Sequence, residues 1–244
     1  MNALVLLRSH LYNEHVKTAY ADLRRFSQGS EPFLLLDASK GDIATDIPTL
    51  KFDGERLRRM GVELYPDNRW AWFAGDYALY CAFLERPDHS HYVMLDYDTR
   101  INFSIDDLLA GVERAGCDFV APYAGFENAK WMWAAAGRHW FPRVAGCFFP
   151  IVVLSRRLVL RCLEHRLAHA RQVPDEKEAK REFLQQRWMN CEAFVPSVAL
   201  AEGYRWSTSR SSCPNGPTPS CMMSTFSIGT CRSSPTCPAP IRSS

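Results

Sequence analysis

Short, unbroken apolar runs recur along the chain, separated by longer segments with helical spacing. Ala3–Leu7, Phe33–Leu36, Tyr92–Leu95 and Ile151–Leu154 are too short for helices and too uniformly apolar for strands with one wet face. They predict strands buried on both faces of a mostly parallel sheet. Cys117–Ala121 predicts another, ended by Pro122, and Thr49–Phe52 a shorter one. Between them, Asn13–Phe26 places Val16, Ala19, Tyr20, Leu23 and Phe26 on one side of a helix. Arg69–Leu84 reads as one aromatic helix, and a short helix is expected near Gly54–Met60. Ser104-Ile-Asp-Asp107 has capping-box spacing and opens a helix to about Ala115. Arg156–Arg171 follows Ser155 as a basic helix, and Asp175 to Glu178 opens a charged one reaching about Met189. Alternating strands and helices predict an α/β domain, Rossmann-like, with helices on both faces of the sheet.

The strand ends carry the chemistry. In open α/β sheets, ligands sit beyond the carboxyl ends of the strands. The first run ends in Arg8-Ser9-His10, the second in Asp37, and the central one in Asp96-Tyr97-Asp98. Two acids one residue apart make an oxygen site suited to a hard divalent cation and, through it, a diphosphate. The alternative is a solvated turn. A Gly-x-Gly-x-x-Gly turn is missing after the first strand, so a dinucleotide site has no support. Asp76 interrupts the aromatic helix, either at its wet edge or aimed into a site. Trp131 and Trp133 offer flat walls for a sugar ring, or core packing. His165 and His169 have metal-ligand spacing, but the basic neighbours favour a solvated helix face.

Composition narrows the classes. The chain has 244 residues, 47% hydrophobic and 23% charged, with net charge +2, which gives no sign of a nucleic-acid binder. No run approaches a membrane span, and the N-terminus reads as a strand rather than a signal peptide. The cysteines at 81, 117, 147, 162 and 191 fit buried reduced thiols, and the expectation is a cytoplasmic protein. At Ser207 the composition changes: the last 38 residues hold eleven Ser, six Pro and four Cys and not one acid. The expected organisation is therefore a domain over residues 1–206, followed by a disordered Ser/Pro/Cys-rich tail over 207–244. Shifting the frame of GC-rich codons restores acids and apolar residues in that tail. An out-of-frame end, with the natural C-terminal section lost, is the sharper expectation.

Taken in order, these features resemble a GT-A glycosyltransferase over about residues 3–206. The resemblance rests on Arg8-Ser9-His10, Asp37, Gly75-Asp76, Asp96-Tyr97-Asp98, Gly146-Cys147-Phe148 and Glu192 at the start of a late helix. It implies transfer of a sugar from a nucleotide-diphospho-sugar donor to a hydroxyl acceptor. Asp98 would coordinate Mn²⁺ or Mg²⁺, and Asp96 would share the metal or contact the ribose. Arg8, Asp37 and Asp76 would complete the donor site. Glu192 would be the catalytic base if its apolar neighbours raise its pKa, with Trp131 and Trp133 on the acceptor side. Such enzymes often take a further metal ligand from their C-terminal section, so an out-of-frame end would impair this chain. The competing readings are a nucleotidyltransferase-like enzyme, which normally shows a Gly-rich loop with a Lys, and an inactive sugar-nucleotide-binding remnant.

Overall fold

The computed structural model describes residues 2–66, 70–124 and 133–209. Its strands are β1 (Ala3–Ser9), β2 (Pro32–Asp37), β3 (Thr49–Phe52), β4 (His91–Asp96), β5 (Phe119–Pro122), β6 (Ile151–Ser155) and β7 (Trp206–Ser209). The helices are α1 (Glu14–Phe26), α2 (Gly54–Arg59), α3 (Trp70–Phe73), α4 (Asp76–Glu85), α5 (Ile105–Ala115), α6 (Ala134–Gly137), α7 (Arg156–Ala170), α8 (Lys177–Arg187) and α9 (Cys191–Ala201).

The strands form one sheet in the order β3-β2-β1-β4-β6-β5-β7. All pairings are parallel except those of β6, which runs antiparallel to both β4 and β5. Inner strands are buried on both faces, as their unbroken apolar sequences require. One face packs Val5, Leu7, Val93 and Val153 against Val16, Tyr20 and Leu23 of α1 and Leu108 and Val112 of α5. The other packs Leu4, Leu6, Met94 and Val152 against α4, α7 and α9. The expected α/β architecture, with a mostly parallel sheet covered on both sides, is what the chain adopts.

Local signals set several boundaries. Asn13, Asp53 and Ser104 accept from backbone N–H groups at the starts of α1, α2 and α5, supplying partners the first turn lacks. Gly116 ends α5 at φ +59°, a left-handed position that glycine takes without a Cβ penalty.

Four expectations are corrected. The aromatic helix is two, α3 and α4, broken at Ala74–Gly75. α8 is capped by Glu176, whose carboxylate takes the Glu178 and Ala179 N–H groups, rather than by Asp175. The α7 histidine face is not wet: His169 is buried and stacked 3.6 Å from Trp140, Arg166 is buried beside it, and His165 bonds Glu202. Cys81, Cys147, Cys162 and Cys191 are free buried thiols as expected, whereas buried Cys117 is disulfide-bonded. Among the described residues no helix is long and apolar enough to cross a membrane. β7 continues the fold to Ser209, and the expectations for the tail beyond it lie outside the described residues.

Candidate active site

The carboxyl ends of β1, β2, β3 and β4 open onto one cavity of about 240 Å³. Its lining brings together Arg8, Asp37, Asp96 and Asp98, four of the five residues expected at a donor site. The sheet explains this: β2, β1 and β4 are neighbours, so their ends stand side by side. At about 4.8 Å per strand, Asp37 and Asp96 lie roughly two strand spacings apart.

Arg8 and Asp96 are direct register partners across β1 and β4. Their side chains close a two-point ion pair, Arg8 Nε to Asp96 Oδ1 at 2.7 Å and Nη2 to Oδ2 at 2.9 Å. Burial pushes the Asp96 carboxyl up, Arg8 pulls it back, and the nearby Asp98 charge adds to the rise, leaving it above the ordinary carboxylate range. The third guanidinium nitrogen, Arg8 Nη1, is buried without a hydrogen-bond partner. It lies against Gly75, where an added Cβ would collide with it.

Asp98 differs from its neighbour. It is exposed and makes no hydrogen bond or ion pair within the described residues. Asp37 accepts the Ser39 N–H through Oδ1 at 2.9 Å, with Oδ2 unengaged. The remaining wall is Ser9, His10, Phe52, Ala71, Trp72 and Tyr97. Trp72, 66% exposed, is a flat apolar face at the rim.

Glu192 stands on α9, outside the cavity lining but near enough for the Asp96 charge to act on it. Asn190 caps that helix, its side chain accepting the Glu192 N–H at 2.7 Å. Pro196, inside the helix, has no N–H to give the Glu192 carbonyl four residues earlier. That carbonyl instead accepts the Cys147 N–H at 2.9 Å, which ties Glu192 to the segment entering β6. Ser197 bonds the Ala145 backbone in both directions and reinforces the tie. Burial pushes the Glu192 carboxyl up; the Phe149 N–H and the Trp133 indole hold it back, and the Asp96 charge raises it further. The net shift is upward.

Trp133 thus touches Glu192 directly, and its ring lies 6.0 Å from Trp72 and 5.4 Å from Phe73. Trp131 lies outside the described residues. Asp76 is not brought to the cavity lining. It is fully buried, and Arg166 and Tyr80 occupy its oxygens at 2.9, 3.1 and 2.7 Å, so neither the wet edge nor the site describes it. Among the walls, Trp72 and Tyr97 are residues to which the sequence assigns no site role.

No group of three His, Cys, Asp or Glu residues among the described residues is arranged to hold a metal. The acidic pair alone therefore offers at most two protein ligands. That number suits Mg²⁺-type sites, which take one or two carboxylates and complete their shell with phosphate oxygens and water.

No protein-family model matches the chain, and no curated protein matches it in sequence. Several solved structures overlay on it distantly. Mouse xyloside xylosyltransferase 1, in its apo form, is 10% identical, with 81% of each chain covered and a TM-score of 0.44. Core-mannan synthase A from Aspergillus fumigatus, in a Mn/GDP form, is 10% identical over 82% of this chain and 70% of its own, at 0.42. A CMP:2-keto-3-deoxy-manno-octonic acid synthetase complexed with CTP is 11% identical over 76% and 84%, at 0.39. At such scores the function has to be argued from the residues of the site.

Proposed function

We propose that this protein is a glycosyltransferase that takes a sugar from a nucleotide-diphospho-sugar to a hydroxyl acceptor. The observation that carries the reading is the convergence of Arg8, Asp37, Asp96 and Asp98 on one cavity, with Asp98 making no hydrogen bond or ion pair among the described residues. The nucleoside lies over the β1 and β2 ends, where Asp37 Oδ2 is available to a ribose hydroxyl and Trp72 and Phe52 supply apolar walls. The diphosphate lies over the β4 end, between the Arg8 guanidinium and Asp98.

Mn²⁺ or Mg²⁺ held by Asp98 would supply Lewis-acid stabilisation of the leaving diphosphate. Glu192 accepts the proton of the acceptor hydroxyl. Its upward shift moves it closer to the working pH, which is what a general base needs. The Trp133 indole holds that carboxylate in place, and the Trp133–Trp72 wall offers an apolar face to a sugar ring.

The full chain is to be screened against UDP- and GDP-sugars with and without Mn²⁺, reading melting temperature and nucleoside diphosphate release. A Mn²⁺-dependent rise in melting temperature with at least one donor, and release lost by ~10²–10³-fold in Asp98→Ala, are expected. Absence of any shift with every donor would overturn the assignment. Binding without release would leave a sugar-nucleotide-binding protein rather than an enzyme.

A further inference from the structure

The pair of acids is asymmetric, and the asymmetry has a structural cause. Both Asp96 oxygens already receive Arg8, whereas Asp98 is unengaged. The Arg8 side chain is fixed at three points: Nε and Nη2 on the carboxylate, and Nη1 pressed on the Cβ-less face of Gly75. Any residue larger than glycine at that point would fill the volume Nη1 occupies. Gly75 itself has φ −58°, an ordinary helical value, so its backbone conformation does not demand glycine. Only the contact with Arg8 does.

We infer that Gly75, Arg8 and Asp96 form one positioning unit, in which Arg8 clamps Asp96 so that Asp98 alone meets the cation, while the Asp96 charge is neutralised toward the diphosphate. The inference rests on the proposed donor reading and deepens it by dividing the two acids between two jobs. Asp98 is a cation ligand. Asp96 is a positioning residue for Arg8, and Gly75 provides its seat. Charge arithmetic supports the division. A free Asp96 beside Asp98 would attract the cation with two carboxylates but would also repel the incoming diphosphate. Pairing with Arg8 cancels one of those charges at contact distance.

The test separates the two sites by the sign of the response. Mn²⁺ is titrated alone by electron paramagnetic resonance, and UDP and GDP are then titrated with Mn²⁺ present by calorimetry. Asp98→Asn is expected to weaken Mn²⁺ binding at least 30-fold, and Asp96→Asn by less than threefold. Arg8→Gln frees Asp96, so Mn²⁺ alone should bind ~5–10-fold tighter while the nucleoside diphosphate binds at least 10-fold weaker. Gly75→Ala should reproduce that opposed pair of changes, since its methyl evicts Nη1 from the seat. A merely structural role for Arg8 would weaken both ligands together. Thermal melts of each variant identify any that fails to fold; if Gly75→Ala does, Arg8→Lys, which removes the nitrogen seated on Gly75 without adding bulk there, takes its place. Equal losses in Asp96→Asn and Asp98→Asn, or loss of both ligands in Arg8→Gln, would overturn the division of roles while leaving the donor reading standing. Failure of the unaltered protein to bind any nucleoside diphosphate with Mn²⁺ would remove both.

Discussion

Two Arg–Asp pairs sit near the same end of the sheet and do different work. Arg166 and Asp76 are both fully buried. Arg166 gives Nε and Nη2 to the carboxylate and Nη1 to the Met189 carbonyl, and its Cζ lies 3.8 Å from the Phe194 ring centroid. Tyr80 adds a further hydrogen bond to Asp76. Every guanidinium nitrogen is engaged, and the pair is sealed in aromatic rings. Arg8 and Asp96 have the same two-point geometry, yet they line a cavity, one guanidinium nitrogen is idle, and an unpaired acid stands two residues away. A closed partner inventory marks a group that holds the fold. An open one, at a cavity, marks a group kept ready for something else.

The largest effect that would test this contrast is on stability. Arg166→Met strands a buried carboxylate and should lower unfolding free energy by ~3–5 kcal/mol, read by urea titration, with most of it regained in the double variant Arg166→Met with Asp76→Leu. Donor turnover per folded molecule should stay within threefold; a larger fall would dissolve the distinction between the pairs. Asp98→Ala should behave oppositely, losing ~10²–10³-fold in donor release while stability moves by less than ~0.5 kcal/mol. Glu192→Gln should lose about 10²-fold and erase the acidic limb of the rate profile. That limb should lie above the ordinary glutamate value of 4.5, because the folded carboxyl is raised and must be deprotonated to act. The linkage sign follows: a raised carboxyl costs stability above its folded pKa, and the cost disappears as pH falls through it. Glu192→Gln should therefore be slightly more stable than the unaltered chain at pH 7. Smallest, Trp72→Ala should raise the apparent KM for donor or acceptor ~2–10-fold with kcat within twofold, since it removes a wall and no reacting group.

Strands β1 to β6 and the cavity-forming ends of β1, β2 and β4 are legible because unbroken apolar runs followed by polar residues have few other uses, whereas β7 lies largely in the Ser-rich stretch expected to be disordered. The reversal of β6 is not legible, since a strand buried on both faces has the same pattern in either direction. Asp76 was misassigned because its partner is 90 residues away in sequence; an acid among aromatics looks alike whether it faces a site or a hidden arginine. His169 was read as wet for a related reason. Helical spacing alone does not show that Trp140 covers it, and burial together with the nearby Arg166 and histidine charges pulls its imidazole down to about 3, so it stays neutral. Glu192 was legible as an acid at a helix start in apolar surroundings, but the Trp133 bond and the Pro196 arrangement required three dimensions.

Pro196 has a mechanical consequence. Because its ring nitrogen cannot close the helical turn, the Glu192 carbonyl is anchored to the segment entering β6 rather than to its own helix. The attitude of the proposed base is thus inherited from the sheet, so loosening residues 145–149 would misalign it even with α9 intact. Alanine at 196 would let the helix reclaim that carbonyl, and the anchor on the sheet would have to compete for it.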